Sequence, residues 1–227
     1  IENLFSSMIN ARLEEYTNSP TPPFVYGYSY YGGMLGRGKE AYQSMAMTAE
    51  DKQLEALKVL AIENERARKF GFTQSELDRA KTETLAYYEK AYNDRDKNNS
   101  SRYLGIYQNH FLEGEAMPSI SYEYNLAKEL LPTITLKDVN NVIQSYIKDE
   151  NRVIILTGPE KEGLKTPTEK DVLAALDVSK VEITPYQDAV VAESLIRNEI
   201  KPGKVTATTK NDKLGTTTLT LSNGAKV

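Results

Sequence analysis

One histidine, His110, limits the chemistry of this 227-residue chain more than any other residue. With a single imidazole and no cysteine, the chain cannot by itself build a site with two or more histidine ligands, a thiol nucleophile, a disulfide or an iron–sulfur cluster. His110-Phe111-Leu112-Glu113-Gly114 carries the first half of an H-x-x-E-H pattern, in which two imidazoles hold zinc and the glutamate activates water. Gly114 stands where the second ligand belongs. The expectation is therefore a helix-end histidine bonded to backbone, and no metal ligand is assigned.

Gly33-Met34-Leu35-Gly36-Arg37-Gly38-Lys39-Glu40 has the G-x-x-x-x-G-K spacing of a phosphate loop. Glu40 occupies the place of the hydroxyl that would bind magnesium, and its carboxylate would repel phosphate. The residues after it alternate like a strand rather than open a helix, so a hairpin turn is expected. Carboxylates are plentiful at Glu14-Glu15, Glu63, Glu65 and Glu113/Glu115, yet no spacing separates a general acid–base pair from solvated helix faces. No G-x-S-x-G occurs. No catalytic residue is assigned, and the residues that would touch a substrate stay unknown.

A third pattern is aromatic. From Phe24 to Tyr31 the chain alternates, with Phe24, Tyr26, Tyr28 and Tyr30 on one face of a strand. Tyrosines offer large contact area with a polar tip, so such a face can bind peptide or sugar. The plainer expectation is that a helical layer covers it, because amphipathic helices need a surface to pack on.

The elements that must position these residues are set by periodicity and caps. Leu4, Met8, Ala11 and Leu13–Tyr16 place a helix over 3–17, ended before Pro20, Pro22 and Pro23. A partner strand is expected at 40–47. Thr48-Ala49-Glu50-Asp51 reads as a capping box opening a helix that Gly71 stops, and Thr73-Gln74-Ser75-Glu76 opens the next, to about Tyr92. A polar break at 93–101 precedes a helix with Tyr103, Ile106, Tyr107 and Phe111. Helices are expected at 121–131 and 136–148, a buried strand at 152–157, and a short helix after Thr168. The fold class is α+β, a few strands packed by a helical layer.

The residue balance is 28 Lys+Arg against 32 Asp+Glu, a net charge of −4, which offers no basic excess for nucleic acid. No apolar run is long enough to span a membrane. After Val178 helical periodicity is lost. The expected organisation is a domain over 1–177, a linker with short strands over 178–215, and a strand plus hairpin turn over 216–227. Ser222-Asn223-Gly224 is a strong hairpin signal with only three residues after it, so excision from a longer polypeptide is expected.

Taken in order, several segments resemble the insulinase/pitrilysin family of zinc peptidases. They are Arg12-Leu13-Glu14-Glu15, Pro22-Pro23-Phe24, the run from Arg66-Ala67-Arg68 through Gly71-Phe72-Thr73 to Ala80-Lys81, and His110-Phe111-Leu112-Glu113-Gly114-Glu115. Leu131-Pro132-Thr133-Ile134-Thr135, Arg152–Pro159 and Leu221–Val227 continue the match along nearly the whole chain. The resemblance implies α/β-roll domains forming two halves around a peptide, with zinc on H-x-x-E-H in the first domain. This chain resembles the back of the second domain, a linker, and the opening strand of the third. The resemblance thus implies a non-catalytic part of a bacterial zinc endopeptidase. Zinc would lie in the catalytic domain of the intact polypeptide and not in this chain. That domain, the second half and a peptide substrate would be its partners, and the compartment would be the periplasm or otherwise exported. The rival expectation is a homologue that has lost zinc chemistry and serves as a binding or assembly subunit.

Overall fold

The computed structural model describes residues 1–34, 36, 38–188 and 203–227. They fall into two units, the first Ile1–Asp188 and the second within Ala189–Val227. The first unit therefore runs past the sequence boundary at 177.

Helix α1 (Glu2–Thr17) is the spine of the first unit. Leu4, Phe5, Met8, Ile9, Arg12 and Leu13 recur every three or four residues and are all buried. Strands β1 (Tyr26–Gly33) and β2 (Glu40–Met47) form an antiparallel pair, in register from Tyr26 opposite Met47 to Gly33 opposite Glu40. The phosphate-loop lookalike is thus the connection of a hairpin, closed by Met34 N–H donating to the Lys39 carbonyl at 2.8 Å. Leu35 and Arg37 lie outside the described residues.

Five helices come next: α2 (Gln53–Phe70), α3 (Gln74–Asn93), α4 (Ser100–Glu113), α5 (Ile120–Leu130) and α6 (Leu136–Tyr146). A last one, α7 (Glu169–Leu176), lies against α2. Three starts carry the reciprocal capping box their sequences announce, Thr73 with Glu76, Thr135 with Asp138 and Thr168 with Asp171. The box read at Thr48-Ala49-Glu50-Asp51 does not form. Helix α2 starts later, after Lys52 and with no side-chain cap, while the Thr48 hydroxyl donates to the Ala49 carbonyl and Glu50 pairs with Lys161.

Between α2 and α3 the chain turns at Gly71, whose φ of 70° and ψ of −161° belong to a region open essentially to glycine. A Cβ there would stand 2.7 Å from the Asn140 side chain, and that amide is already committed, accepting from Phe72 N–H at 2.9 Å. Backbone strain and close packing both demand glycine.

The main core joins α1 to α3 and α6 through Leu4, Phe5, Met8, Ile9, Leu77, Val139 and Ile143. Its centre is Phe5, met edge-on by Tyr146, Tyr42 and Phe72 with ring centroids at 5.4, 5.8 and 5.8 Å. A smaller cluster of Leu13, Phe24, Ala56 and Leu60 seats α1 on α2.

One strand reading is overturned. Residues 152–157 carry no strand and pair with none among the described residues, and Val153 and Ile155 are exposed. A β-branched run has the propensity for a strand, but it becomes a buried one only where a neighbouring ladder accepts its backbone groups.

In the second unit β3 (Val205–Asn211) pairs antiparallel with β4 (Thr216–Leu221), with a register shift between Val205 and Ala207. Residues 205–211, read as linker with short strands, are thus one strand of a hairpin. The Asn223-Gly224 turn forms as well. Gly224 has φ of 84°, and Val227 folds back to exchange bonds of 2.8 and 2.9 Å with Leu219. Residues 189–202, the central part of the expected linker, lie outside the described residues.

Candidate functional site

Which face of the β1–β2 hairpin the helices cover is decided by side-chain size. Gly27, Ser29 and Tyr31 of β1 share a face with Ala46, Ser44 and Tyr42 of β2. Small residues there let α1 come close. Asn10 donates from Nδ2 to the Ser29 carbonyl at 3.0 Å and accepts from Ser29 N–H at 2.7 Å. A Cβ on Gly27 would press to 2.9 Å from the Phe24 ring. The buried Ser29 hydroxyl is satisfied by Ser44 at 2.9 Å, and burial pushes the Tyr42 phenol up to about 12.

The aromatic face points the other way. Tyr26, Tyr28 and Tyr30 stand opposite Met47, Met45 and Gln43, and together these six side chains make one surface. Tyr28 is 45% exposed and Met47 is 58% exposed, so no helix of the first unit covers it. The expectation of a covered aromatic face holds for Phe24, which is buried with Leu13, Ala56 and Leu60, and is overturned for Tyr26 and Tyr28, which are exposed. Tyr28 and Tyr30 touch, with centroids 5.6 Å apart, and Gln43 donates to the Tyr30 hydroxyl. The result is a two-stranded platform of aromatic rings and thioethers. Such a surface suits extended peptide, since rings and methionine sulfur take apolar side chains of varied shape while the phenol oxygens remain available to backbone groups. The signal that marks it in the sequence is the small-residue alternation of the opposite face, not the tyrosines themselves.

The other groups singled out by sequence lie elsewhere. His110 is in the last turn of α4 and exposed, and its Nδ1 donates to the Glu115 carbonyl at 2.6 Å, the backbone-bonded role expected of it. That bond leaves only Nε2 to meet a metal. Among the described residues no group of three or more His, Asp or Glu side chains is placed to hold one. The described residues thus offer no cluster that fits a zinc site.

The buried carboxylates bond within the fold, although Glu63 Oε2 is buried with no hydrogen-bond partner. Glu63 accepts from the Tyr16 hydroxyl at 2.7 Å and from Arg66 Nε at 2.9 Å, and burial together with the Glu63 charge pushes the Tyr16 phenol up to about 12. Glu65 pairs with Arg68 and Lys69 on the surface of α2. Glu76 holds Arg12, which is 1% exposed, through bonds of 2.6 Å from Nε and 2.9 Å from Nη2.

No family model matches this chain. A zinc protease PQQL-like protein from Arabidopsis thaliana is 28% identical over 164 residues, which are 71% of this chain and 17% of that protein. The chain thus spans less than a fifth of the length of that curated relative. Among solved structures, the periplasmic protease PqqL from Escherichia coli matches over 98% of this chain and 25% of its own, at 20% identity and a TM-score of 0.66. A predicted insulinase family protease from Yersinia pestis covers 77% of this chain and 37% of its own, at 12% identity and a TM-score of 0.61. Seven helices and two small antiparallel sheets among the described residues make the α+β class of those neighbours. The chain is thus similar in sequence to a protein named as a zinc protease, and in fold to the protease PqqL and to an insulinase family protease.

Proposed function

We propose that this chain is a non-catalytic segment of a bacterial zinc endopeptidase. Its role there is to form part of the wall of the substrate chamber. The open Tyr26/Tyr28/Tyr30–Met45/Met47 face carries the reading, because it offers a peptide-compatible surface on a hairpin backed by helices. The relative named as a zinc protease supports the parent chemistry, and the misfit of His110 to zinc supports placing that chemistry in another domain. The catalytic domain and the second half of the same polypeptide are then its partners. Residues 1–177 with the segment to Asp188 form most of an α/β-roll domain, the connection to the next lies before Val205, and the β3–β4 hairpin through Val227 belongs to that next domain. A neighbour described as periplasmic supports an exported location, and no helix among the described residues is long and apolar enough to cross a membrane.

Two measurements test this. After dialysis the chain should hold no stoichiometric zinc by elemental analysis; near-stoichiometric metal would overturn the non-catalytic assignment. A fluorescein-labelled unstructured peptide of mixed apolar and basic sequence should bind the chain. The triple variant Tyr26→Ala, Tyr28→Ala, Met45→Ala should weaken that binding about tenfold or more, the scale of central interface aromatics. Each of those exposed positions should change stability by only about 0.5 kcal/mol. Unchanged peptide affinity in the variant would remove the face from the proposal.

A further inference from the structure

Residues 178–188 lack helix and strand, yet their last five are fastened to the first unit at three points. Arg66 Nη1 of α2 donates to the Thr184 carbonyl. The Tyr186 hydroxyl donates to Glu15 of α1, and its ring lies over the Arg12 guanidinium, with the Arg12 Cζ 4.5 Å from the centroid. The Phe72 ring also lies 4.7 Å from Arg12 Cζ, so the guanidinium contacts two rings. Asp188 then closes on the start of α3. Its Oδ1 accepts from Arg79 Nη2 at 2.7 Å, and its Oδ2 accepts from the Ser75 hydroxyl and, at 3.2 Å, from the Thr73 hydroxyl. The Ser75 bond, with Arg79 beside it, holds the Asp188 carboxyl below the usual carboxylate range, so the anchor is charged at neutral pH. A carboxylate at this helix start also meets the positive end of the α3 dipole.

We propose that Thr184–Asp188 is a strap that fixes where the chain departs from the first unit, at Asp188 rather than at Val178. The consequence is one of reach. Eleven residues, 178–188, would span about 35–40 Å if extended, and docking withholds that length from the connection. The strap also covers Arg12, whose Nη1 is buried without a hydrogen-bond partner and whose guanidinium contacts both rings. Three contacts from three helices, made by residues spaced two apart, distinguish a docked segment from a chain end lying on a surface. The inference rests on these contacts alone and stands or falls independently of the protease reading.

The absence of cysteine makes the test direct, since Gln187→Cys, at an exposed position inside the strap, gives a single site for a nitroxide label on the full chain. In the otherwise unaltered chain the label should show restricted motion. Adding Tyr186→Ala and Asp188→Ala should shorten its correlation time several-fold, while the helical circular dichroism keeps its amplitude. A second pair, Glu15→Ala with Arg79→Ala, leaves the strap sequence intact and should release it in the same direction. A label already as mobile in the unaltered background as in the urea-unfolded chain would overturn the proposal. So would a label that stays restricted in both variant pairs.

Discussion

Replacing Glu76 by alanine should destabilise the first unit by about 3–5 kcal/mol, the scale for removing one partner of a buried ion pair. The size comes from Arg12, which is buried, held by both carboxylate oxygens of Glu76, and unable to escape by losing its proton. Its remaining polar contact is the Gly71 carbonyl at 2.9 Å, which cannot neutralise a charge. Glu76 also accepts from Thr73 N–H at 2.7 Å as the capping-box residue of α3, so the alanine variant loses a cap worth about 1 kcal/mol as well. Glu76→Gln separates the two effects, since the amide oxygen can still cap while the charge is gone. Replacing both partners by apolar residues of similar size should cost less than either single change, because no charge is then left in the core. Urea unfolding checks all three variants through the midpoint at constant slope. A loss below about 1 kcal/mol for the alanine variant would mean that water reaches Arg12, as expected only for exposed pairs.

The second large effect is at Phe5. Phe5→Ala should cost about 3–5 kcal/mol, as for other buried phenylalanines. Tyr42, Phe72 and Tyr146 surround the ring and come from β2, the α2–α3 turn and α6, so no single element can move to fill the space. For a unit of this size, that loss lowers the melting temperature by about 6–20 °C, read by near-ultraviolet circular dichroism. Tyrosine signals from Tyr42 and Tyr146 should weaken along with it. Phe5→Leu should recover a large part of the loss; equal losses for leucine and alanine would mean that ring stacking, not volume, holds this core.

Much of the fold can be read from residue types because the signals are local. The Thr73, Thr135 and Thr168 boxes, the α1 stripe and the glycine stop at Gly71 each depend on neighbours within one turn of helix. The misreadings share the opposite property. Thr48 has the letters of a cap, but its hydroxyl goes to the adjacent carbonyl, and α2 begins where its apolar stripe can meet α1. The 152–157 run has strand propensity without a ladder to join. Alternation along β1 defines two faces correctly, yet hydrophobicity points to the wrong one as covered. Close approach of a helix is limited by Cβ atoms, and Gly27, Ser29, Ser44 and Ala46 are the residues that permit it. The docking of Tyr186 on Arg12 joins residues 174 positions apart and has no local signature. For the candidate site, the tyrosines are legible as a face, while its exposure is not.

The two sides of the β1–β2 hairpin consequently stand under different evolutionary constraint. On the helix side a single added methyl is felt, so those positions are expected to drift little over time. On the platform side Tyr26, Tyr28, Met45 and Met47 are exposed, and changes there cost only about 0.5 kcal/mol each, leaving four neighbouring positions comparatively free to diversify. A lineage could change what this surface prefers by substitution there alone, keeping the same scaffold beneath it.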